Sequence, residues 1–464
     1  IMTIVMQLFH RSRKVFVNRR LGYIALVVYW VAFEYAHHNW DLTYPWLSLG
    51  NGFASWPSWI QWYEYTGILG GTIWILSSNI FVLFVIKDIV YKRSPLPKEK
   101  IIVLLSVVIV PLTITMLIFY NYKTEGEGIN IIVVQPNNDP YTEQYHISPD
   151  KAIDNMMNLA SPFITNKTDI VAGPESMIQE DIWERHIDRS RGVRKMREYL
   201  ARYPHLTMVT GASSFRMVYK GEMLRVSNRE FDSEYYLRAI AEHYDMPFDS
   251  LSGYYDAYNM ALVLDTGKYQ GAYHKSKLVA GVERMPFKRW LAPLFGDFAL
   301  DMGGTIGTLA MDEERKVFLL RNKQKKYGIA ICYESVFGEF FGKFVKNGAD
   351  FMLIITNDGW WGDTPGHRHH NSFARIRAIE TRRSIARSAN TGISCFVDQR
   401  GVITQPTPYD VEDAIAATIY TNEKITFYVK YGDYIGRIAL FCAILLLLIQ
   451  FSLRFIPKKR EKIR

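Results

Sequence analysis

Tyr327-Gly328-Ile329-Ala330-Ile331 runs directly into Cys332-Tyr333-Glu334-Ser335, and the reading of this stretch decides the fold. Five apolar or small residues in succession, stopped by a polar turn, match a strand buried on both faces. A half-exposed strand would alternate instead. The residues that follow are compatible with a helix, so the junction predicts the strand-to-helix step of an α/β domain. Such a bend exposes a side chain, and the amides that open the next helix lie near an oxyanion and favour a thiolate. Cys332 is therefore a candidate nucleophile, with a small buried core residue as the alternative reading.

Further buried-strand patterns lie on either side, at residues 129–135, 169–172, 207–211, 260–264, 351–356 and 393–397, separated by polar helical stretches. Residues 169–172 end at Gly173-Pro174-Glu175-Ser176. This puts a carboxylate at the carboxyl end of a strand, where open α/β sheets gather their sites, or else a helix cap. Asp265-Thr266-Gly267 reads as a hairpin turn between residues 260–264 and 269–273. The second arm leads to Tyr273-His274-Lys275-Ser276-Lys277 and then Glu283, candidates for the site or for a solvated charged edge.

The 464-residue chain carries a net charge of +9, which raises the question of a nucleic-acid partner. The net positive excess sits in three places: Arg11, Arg13, Lys14, Arg19 and Arg20; Lys87, Lys92, Arg93, Lys98 and Lys100; and the tail from Arg454 to Arg464. Everything else is net negative, which argues against nucleic acid. These clusters border apolar runs. Residues 66–86 and 101–120 are uncharged and long enough to cross a bilayer. Residues 21–38, interrupted by Glu34, and residues 438–453 are read as spans too, with buried soluble helices as the alternative. Basic loops stay on the cytoplasmic side, and this rule places residues 121–433 on the other side. The chain opens on Ile1 within IMTIVMQLF, too short to cross, and is expected to be the end of a helix whose beginning is missing. Cys332, Cys395 and Cys442 cannot all pair and have no metal-ligand spacing, so neither a disulfide framework nor a metal is expected.

Glu175, Lys275 and Cys332, in this chain order and in these contexts, resemble the nitrilase superfamily, which places a Glu-Lys-Cys site on an α-β-β-α sandwich. With membrane spans on both sides, nearly the whole chain is similar to the bacterial apolipoprotein N-acyltransferases. The most specific stretches are residues 356–362 (TNDGWWG), 374–383 (ARIRAIETRR) and 388–392 (SANTG). The resemblance implies an α/β fold, a nitrilase-type α-β-β-α sandwich domain at 121–433 inserted between transmembrane α-helices at 1–120 and a C-terminal helix and basic tail at 434–464. It makes Cys332 the nucleophile, Glu175 the general base and Lys275 the cation beside the oxyanion, with Glu283, Tyr333 and Glu334 in support. An aromatic residue is expected in the loop after the first strand, and Tyr145 is the nearest candidate. Ala280-Gly281-Val282 departs from the family's usual Pro-Phe-Gly, which leaves the shape of that loop open.

The implied activity moves an acyl chain from a phospholipid, through a Cys332 thioester, to the α-amino group of the diacylglyceryl-cysteine of an apolipoprotein. It needs no cofactor and belongs at the bacterial inner membrane with the catalytic domain on the periplasmic side. A thioester is a form of ester that an amine can open. A carboxylate in a dry pocket can take and return the thiol proton, and a cation with a backbone N–H can hold the oxyanion. A membrane-tethered amidase with the same three residues, or a silent membrane scaffold, are the rival readings. His367, His369 and His370 lack the pattern of a metal motif and read as a polar helix entrance. Arg375, Arg377, Arg382, Arg383 and Arg387 read as a phosphate site or as ion pairs on a solvated helix face. Trp360 and Trp361 read as acyl-entry, interfacial or core residues.

Overall fold

In the computed structural model, residues 2–15, 21–92, 98–144, 146–265, 268–287 and 308–453 are described. The chain forms two compact units, Lys123–Ile425 and a second made of Ile1–Tyr122 with Thr426–Arg464.

The Lys123–Ile425 unit contains two sheets. The first holds β1 (Gly128–Gln135), β2 (Ile170–Ala172), β3 (Ile178–Trp183), β4 (Thr207–Tyr219), β5 (Arg229–Glu230), β6 (Leu251–Asp265) and β7 (Lys268–His274). The second holds β8 (Val317–Leu320), β9 (Lys325–Ile331), β10 (Phe351–Thr356), β11 (Ile385–Ala389), β12 (Cys395–Val397) and β13 (Ile403–Thr404), and β14 (Asp413–Tyr420) returns to the first. The first sheet runs β14-β1-β2-β4-β6-β5, with β3 also on β4 and β7 also on β6, and the second runs β13-β12-β11-β10-β9-β8. β1, β2 and β4 are parallel, as are β9, β10 and β11.

The sheets pack face to face, β1 against β11 and β6 against β9. Helices Pro149–Ala160 and Arg191–Arg202 cover the outside of the first sheet, and Gly338–Lys346 and Pro365–Thr381 pack on the second. This is the α-β-β-α sandwich. It explains the continuous apolar strands, because each central strand is covered on both faces. On β1, Ile132 and Val134 join the helix-side core with Ile153, Met156 and Met196, while Ile131 and Val133 are buried on the opposite face.

Strands β3, β5, β8, β11, β13 and β14 were not among the expected ones. β11 lies within the arginine-rich stretch, where buried Arg387 interrupts the apolar pattern. β14 has exposed or half-exposed positions that blur its alternation, yet it pairs with all of β1. The hairpin turn at 266–267 lies outside the described residues, and the strands flanking it pair antiparallel from Asp265↔Lys268 onward.

The other unit is helical. Tyr63–Val90, Lys98–Asn121 and Tyr434–Ser452 are long and apolar enough to cross a membrane. The 21–38 stretch does form a helix, Leu21–His38, but it is not among those three, since Glu34, His37 and His38 dilute its apolar character. Glu34 is buried rather than interrupting the helix: its carboxylate accepts from Trp30 Nε1 (2.9 Å), Leu49 N (3.0 Å) and Thr72 Oγ1 (2.7 Å). Gln450 Nε2 similarly donates to Ser12 Oγ and Tyr29 OH (2.7 and 2.6 Å). Such polar links tie helices together where water is absent.

One clamp fixes the end of β7. His274, the residue before Lys275, stacks on Tyr258 with ring centroids 4.0 Å apart. Its imidazole lies between Glu184 Oε1 (2.7 Å) and Asp312 Oδ1 (3.0 Å). Burial disfavours the charged ring, but hydrogen bonds to Asp312 and Glu184 outweigh it and raise its pKa from 6.5 to about 9. Stabilisation from this pair is therefore complete below pH 6.5 and is lost as pH rises through about 9. At that shift it amounts to roughly 3 kcal/mol. Thermal unfolding of the purified protein, followed between pH 6 and 10, is expected to show this alkaline loss, and His274→Gln to flatten it. An unchanged slope in the variant would assign the loss to other groups.

Candidate active site

The carboxyl ends of the parallel strands and of β7 deliver the polar groups to one place. β2 ends at Ala172 and Glu175 follows it, β7 ends just before Lys275, and β9 ends just before Cys332. A close approach of β4 shapes the first of these turns. A Cβ on Gly211 would lie 2.3 Å from Ser176 N and 2.6 Å from Glu175 Cα, so only glycine fits there.

Lys275 is almost wholly buried, at 1% exposure. Its ammonium donates to Glu175 Oε1 at 2.9 Å and to Glu283 Oε1 at 2.7 Å. Asn259 Nδ2 reaches the same two oxygens, at 2.8 and 3.4 Å. The other Glu175 oxygen accepts from the backbone N–H of Asn357 at 3.1 Å, just beyond β10. Glu283 is turned back by its own loop, where its Oε2 accepts from Val279 N at 2.8 Å and Gly281 takes a φ of +85°. The Ala280-Gly281-Val282 departure thus builds a tight turn that returns the carboxylate to the lysine.

The charges are mutually arranged. Burial opposes the lysine's charge, but Glu175 and Glu283 hold its pKa well above the ordinary value. The partly exposed Cys332 has its thiol pushed up, first by burial and then by Glu175, with Lys275 and a hydrogen bond to Thr356 pulling the other way. Burial and the neighbouring Glu175 carboxylate thus favour the neutral thiol over the thiolate. This revises the expectation of a helix-favoured thiolate. Cys332 opens a short 3₁₀ turn, Cys332–Val336, and the α-helix that follows begins only at Gly338.

Glu334 is fully buried and links the strand ends. Its Oε1 accepts from Tyr273 OH (2.7 Å) and Ser276 N (2.6 Å), and its Oε2 from Ile331 N (2.8 Å). Burial outweighs these bonds and raises its pKa to about 7. Tyr333 packs edge-on against Phe337 at 5.0 Å. Tyr145 lies outside the described residues. In the same loop Tyr141 meets Trp360 edge-on at 5.2 Å, and its hydroxyl donates to the Trp360 carbonyl at 3.1 Å. Trp360 is exposed, while Trp361 packs on His370.

Two sequence readings change. His370 stands in the polar opening turns of the Pro365–Thr381 helix, as read, but does not face solvent. It is buried, with Nδ1 2.8 Å from Asp358 Oδ1. His367 stacks on Tyr409. Arg377, Arg383 and Arg387 do not form a solvated face either. They are buried and donate to carbonyls of Val336, Ala349 and Ile393, and Arg387 also pairs with Asp358 at 2.6 Å. Asn259 and Asn357 were missed. Asn259 stands directly before the apolar run 260–264, and a polar residue at the edge of a buried strand signals a required partner. Asn357 acts through its backbone, which no side-chain pattern reveals. Among the described residues no group of His, Cys, Asp or Glu could hold a metal ion.

Residues 241–423 match the carbon-nitrogen hydrolase family model, and residues 1–81 match the model described as the apolipoprotein N-acyltransferase N-terminal domain. An apolipoprotein N-acyltransferase of Chlorobaculum tepidum is 27% identical over 433 residues, covering 91% of this chain and 75% of that protein. Apolipoprotein N-acyltransferase 1 of Treponema denticola is 27% identical over 467 residues, covering 96% and 80%. Among solved structures, Saccharomyces cerevisiae Nit3, of the nitrilase superfamily, is 14% identical with a TM-score of 0.42, covering 73% of this chain and 98% of that one.

A resting thiol has a kinetic signature. Alkylation of Cys332 by iodoacetamide, quantified by mass spectrometry, is expected to keep accelerating as pH rises past the ordinary thiol range. A plateau already reached near neutrality would mean a preformed thiolate and would contradict this electrostatic picture. Asn259→Leu, which removes the donor shared by the two carboxylates, is expected to lower turnover by about 10- to 100-fold, as the loss of one buried charge-assisted hydrogen bond does.

Proposed function

We propose a mechanism for this chain on the premise that it belongs to the apolipoprotein N-acyltransferases of the nitrilase superfamily and N-acylates lipoproteins: the acyl group passes through Cys332, with Glu175 as base and Lys275 as the oxyanion's cation. The observation that carries this is the buried ammonium of Lys275 held between Glu175 and Glu283 beside the thiol.

The donor is a phospholipid. Its ester carbonyl is attacked by Cys332 Sγ as Glu175 takes the thiol proton, and the negative charge forming on the carbonyl oxygen is met by Lys275 and the backbone N–H of Tyr333. The intermediate collapses, the C–O bond breaks, and Glu175 returns the proton to the departing lysophospholipid alkoxide. What remains is a thioester. The α-amino group of a diacylated N-terminal cysteine then attacks it, Glu175 takes a proton from the nitrogen, the C–S bond breaks, and the sulfur is reprotonated. An amide is left on the lipoprotein.

Two carboxylates around one lysine have a reason in this cycle. When Glu175 is neutral, Glu283 still pairs with the ammonium, so Lys275 keeps its charge at the step that needs it. The transmembrane helices and the positive flanks at 10–20, 87–100 and the tail support an inner-membrane protein with its catalytic domain on the periplasmic side. A lipid donor gives those helices a purpose that a soluble amide does not, which favours acyl transfer over amidase activity.

The protein, reconstituted with phospholipid carrying isotopically labelled acyl chains, is expected to take label on Cys332, and an added diacylated lipopeptide to remove it as an N-acyl product. Cys332→Ala should abolish labelling, and Glu175→Gln should slow it by roughly 10²–10⁴-fold, the usual contribution of a general base. Release of free fatty acid with no lipopeptide product would indicate a hydrolase. Label on Cys395 would overturn the site.

A further inference from the structure

Beneath the nucleophile turn lies a buried polar network that the mechanism above does not use. Asp358 Oδ1 accepts from Thr356 Oγ1 at 2.9 Å, and Asp358 Oδ2 accepts from Arg387 Nη2 at 2.6 Å. His370 turns Nδ1 to Asp358 Oδ1, while its Nε2 lies 3.2 Å from the carbonyl oxygen of Cys332 and 3.1 Å from Ser335 Oγ. The Ser335 hydroxyl itself donates to the Cys332 carbonyl at 2.7 Å. About two turns further along the same helix, Arg377 Nη1 donates to the Val336 carbonyl at 3.0 Å. The Pro365–Thr381 helix thus grips both ends of the Cys332–Val336 turn.

Cys332 has a φ of +50°, in the left-handed region that residues with a Cβ rarely occupy. Such a conformation persists only where its surroundings enforce it. The carbonyl anchored by His370 and Ser335 belongs to the same peptide unit as the backbone N–H of Tyr333. A trans peptide is planar, and its C=O and N–H point in opposite directions. Fixing the carbonyl inward on the network therefore fixes the Tyr333 N–H outward, away from it.

We infer that His370, held by Asp358 and acting with Ser335, is a positioning residue for acyl transfer: it anchors the Cys332 carbonyl so that the Tyr333 N–H stays aimed at the oxyanion. The inference rests on Cys332 being the nucleophile. It assigns the buried histidine a task in the chemistry without contact to substrate, and it gives Asp358 and Arg387 the task of orienting the ring.

The test separates a step that builds an oxyanion from one that does not. In the full-length reconstituted protein, acylation of Cys332 by labelled phospholipid passes through a tetrahedral oxyanion, whereas alkylation of the same sulfur by iodoacetamide does not. His370→Leu is expected to slow acylation at saturating donor by about tenfold or more, towards the roughly 10²–10³-fold of losing an oxyanion donor outright. The donor concentration for half-maximal rate and the alkylation rate should stay within about twofold of wild type. His370→Gln keeps an N–H donor and should recover part of the rate. Ser335→Ala, a small change that spares the histidine, should give a milder loss of the same kind and serves if His370→Leu does not fold. Acylation and alkylation falling together would reduce His370 to a packing role and overturn the inference, as would wild-type acylation in His370→Leu or Ser335→Ala. A wild-type protein that alkylates at Cys332 but never acylates would instead overturn the proposed mechanism, and this inference with it.

Discussion

A lysine ammonium with almost no solvent access has to be matched by charge at close range, and this requirement organises the catalytic unit. Taking such an ion out of water costs several kcal/mol, which is recovered only with well-placed partners. Here Lys275 meets Glu175 at 2.9 Å and Glu283 at 2.7 Å. The three residues come from different strand ends and a loop, so the pairing is possible only when β2, β4, β6 and β7 are in register. Asn259 on β6 and the Asn357 amide beyond β10 complete the shell. The last of these comes from the other sheet. The charged cluster therefore depends on both sheets being stacked as they are.

The second sheet contributes in a complementary way. Its strand ends supply the thiol and the rigid bed under it. Asp358, His370 and Arg387 are buried together and mutually hydrogen-bonded, and Glu334 ties the end of β9 to the segment that carries Lys275. A fully satisfied polar network of this kind rigidifies what it holds. The nucleophile thus sits in a strained backbone conformation between two such networks, one that carries charge for the reaction and one that holds shape.

The helical unit follows the same rule in a different solvent. Glu34, which interrupts an apolar stretch, is buried with three donors around its carboxylate. An ionisable side chain in such a setting is tolerated because its hydrogen bonds are made within the protein.

The buried strand that ends at Cys332, the α/β class and the apolar helices were legible in the chain, which also marked Glu175, Lys275 and Cys332 as candidates. They rest on local patterns: runs of buried residues, lengths that match a bilayer, and polar residues placed where such runs stop. β14 and β11 were not legible, because pairing with a distant strand, rather than their own alternation, defines them. The tertiary structure alone decided the contacts of Asn259 and the Asn357 amide, the burial of His370 and Arg387, and the upward push that burial and Glu175 give the Cys332 thiol. Each arises from groups far apart in sequence that share one low-dielectric space, where distance and burial set the charge and no single residue records the outcome.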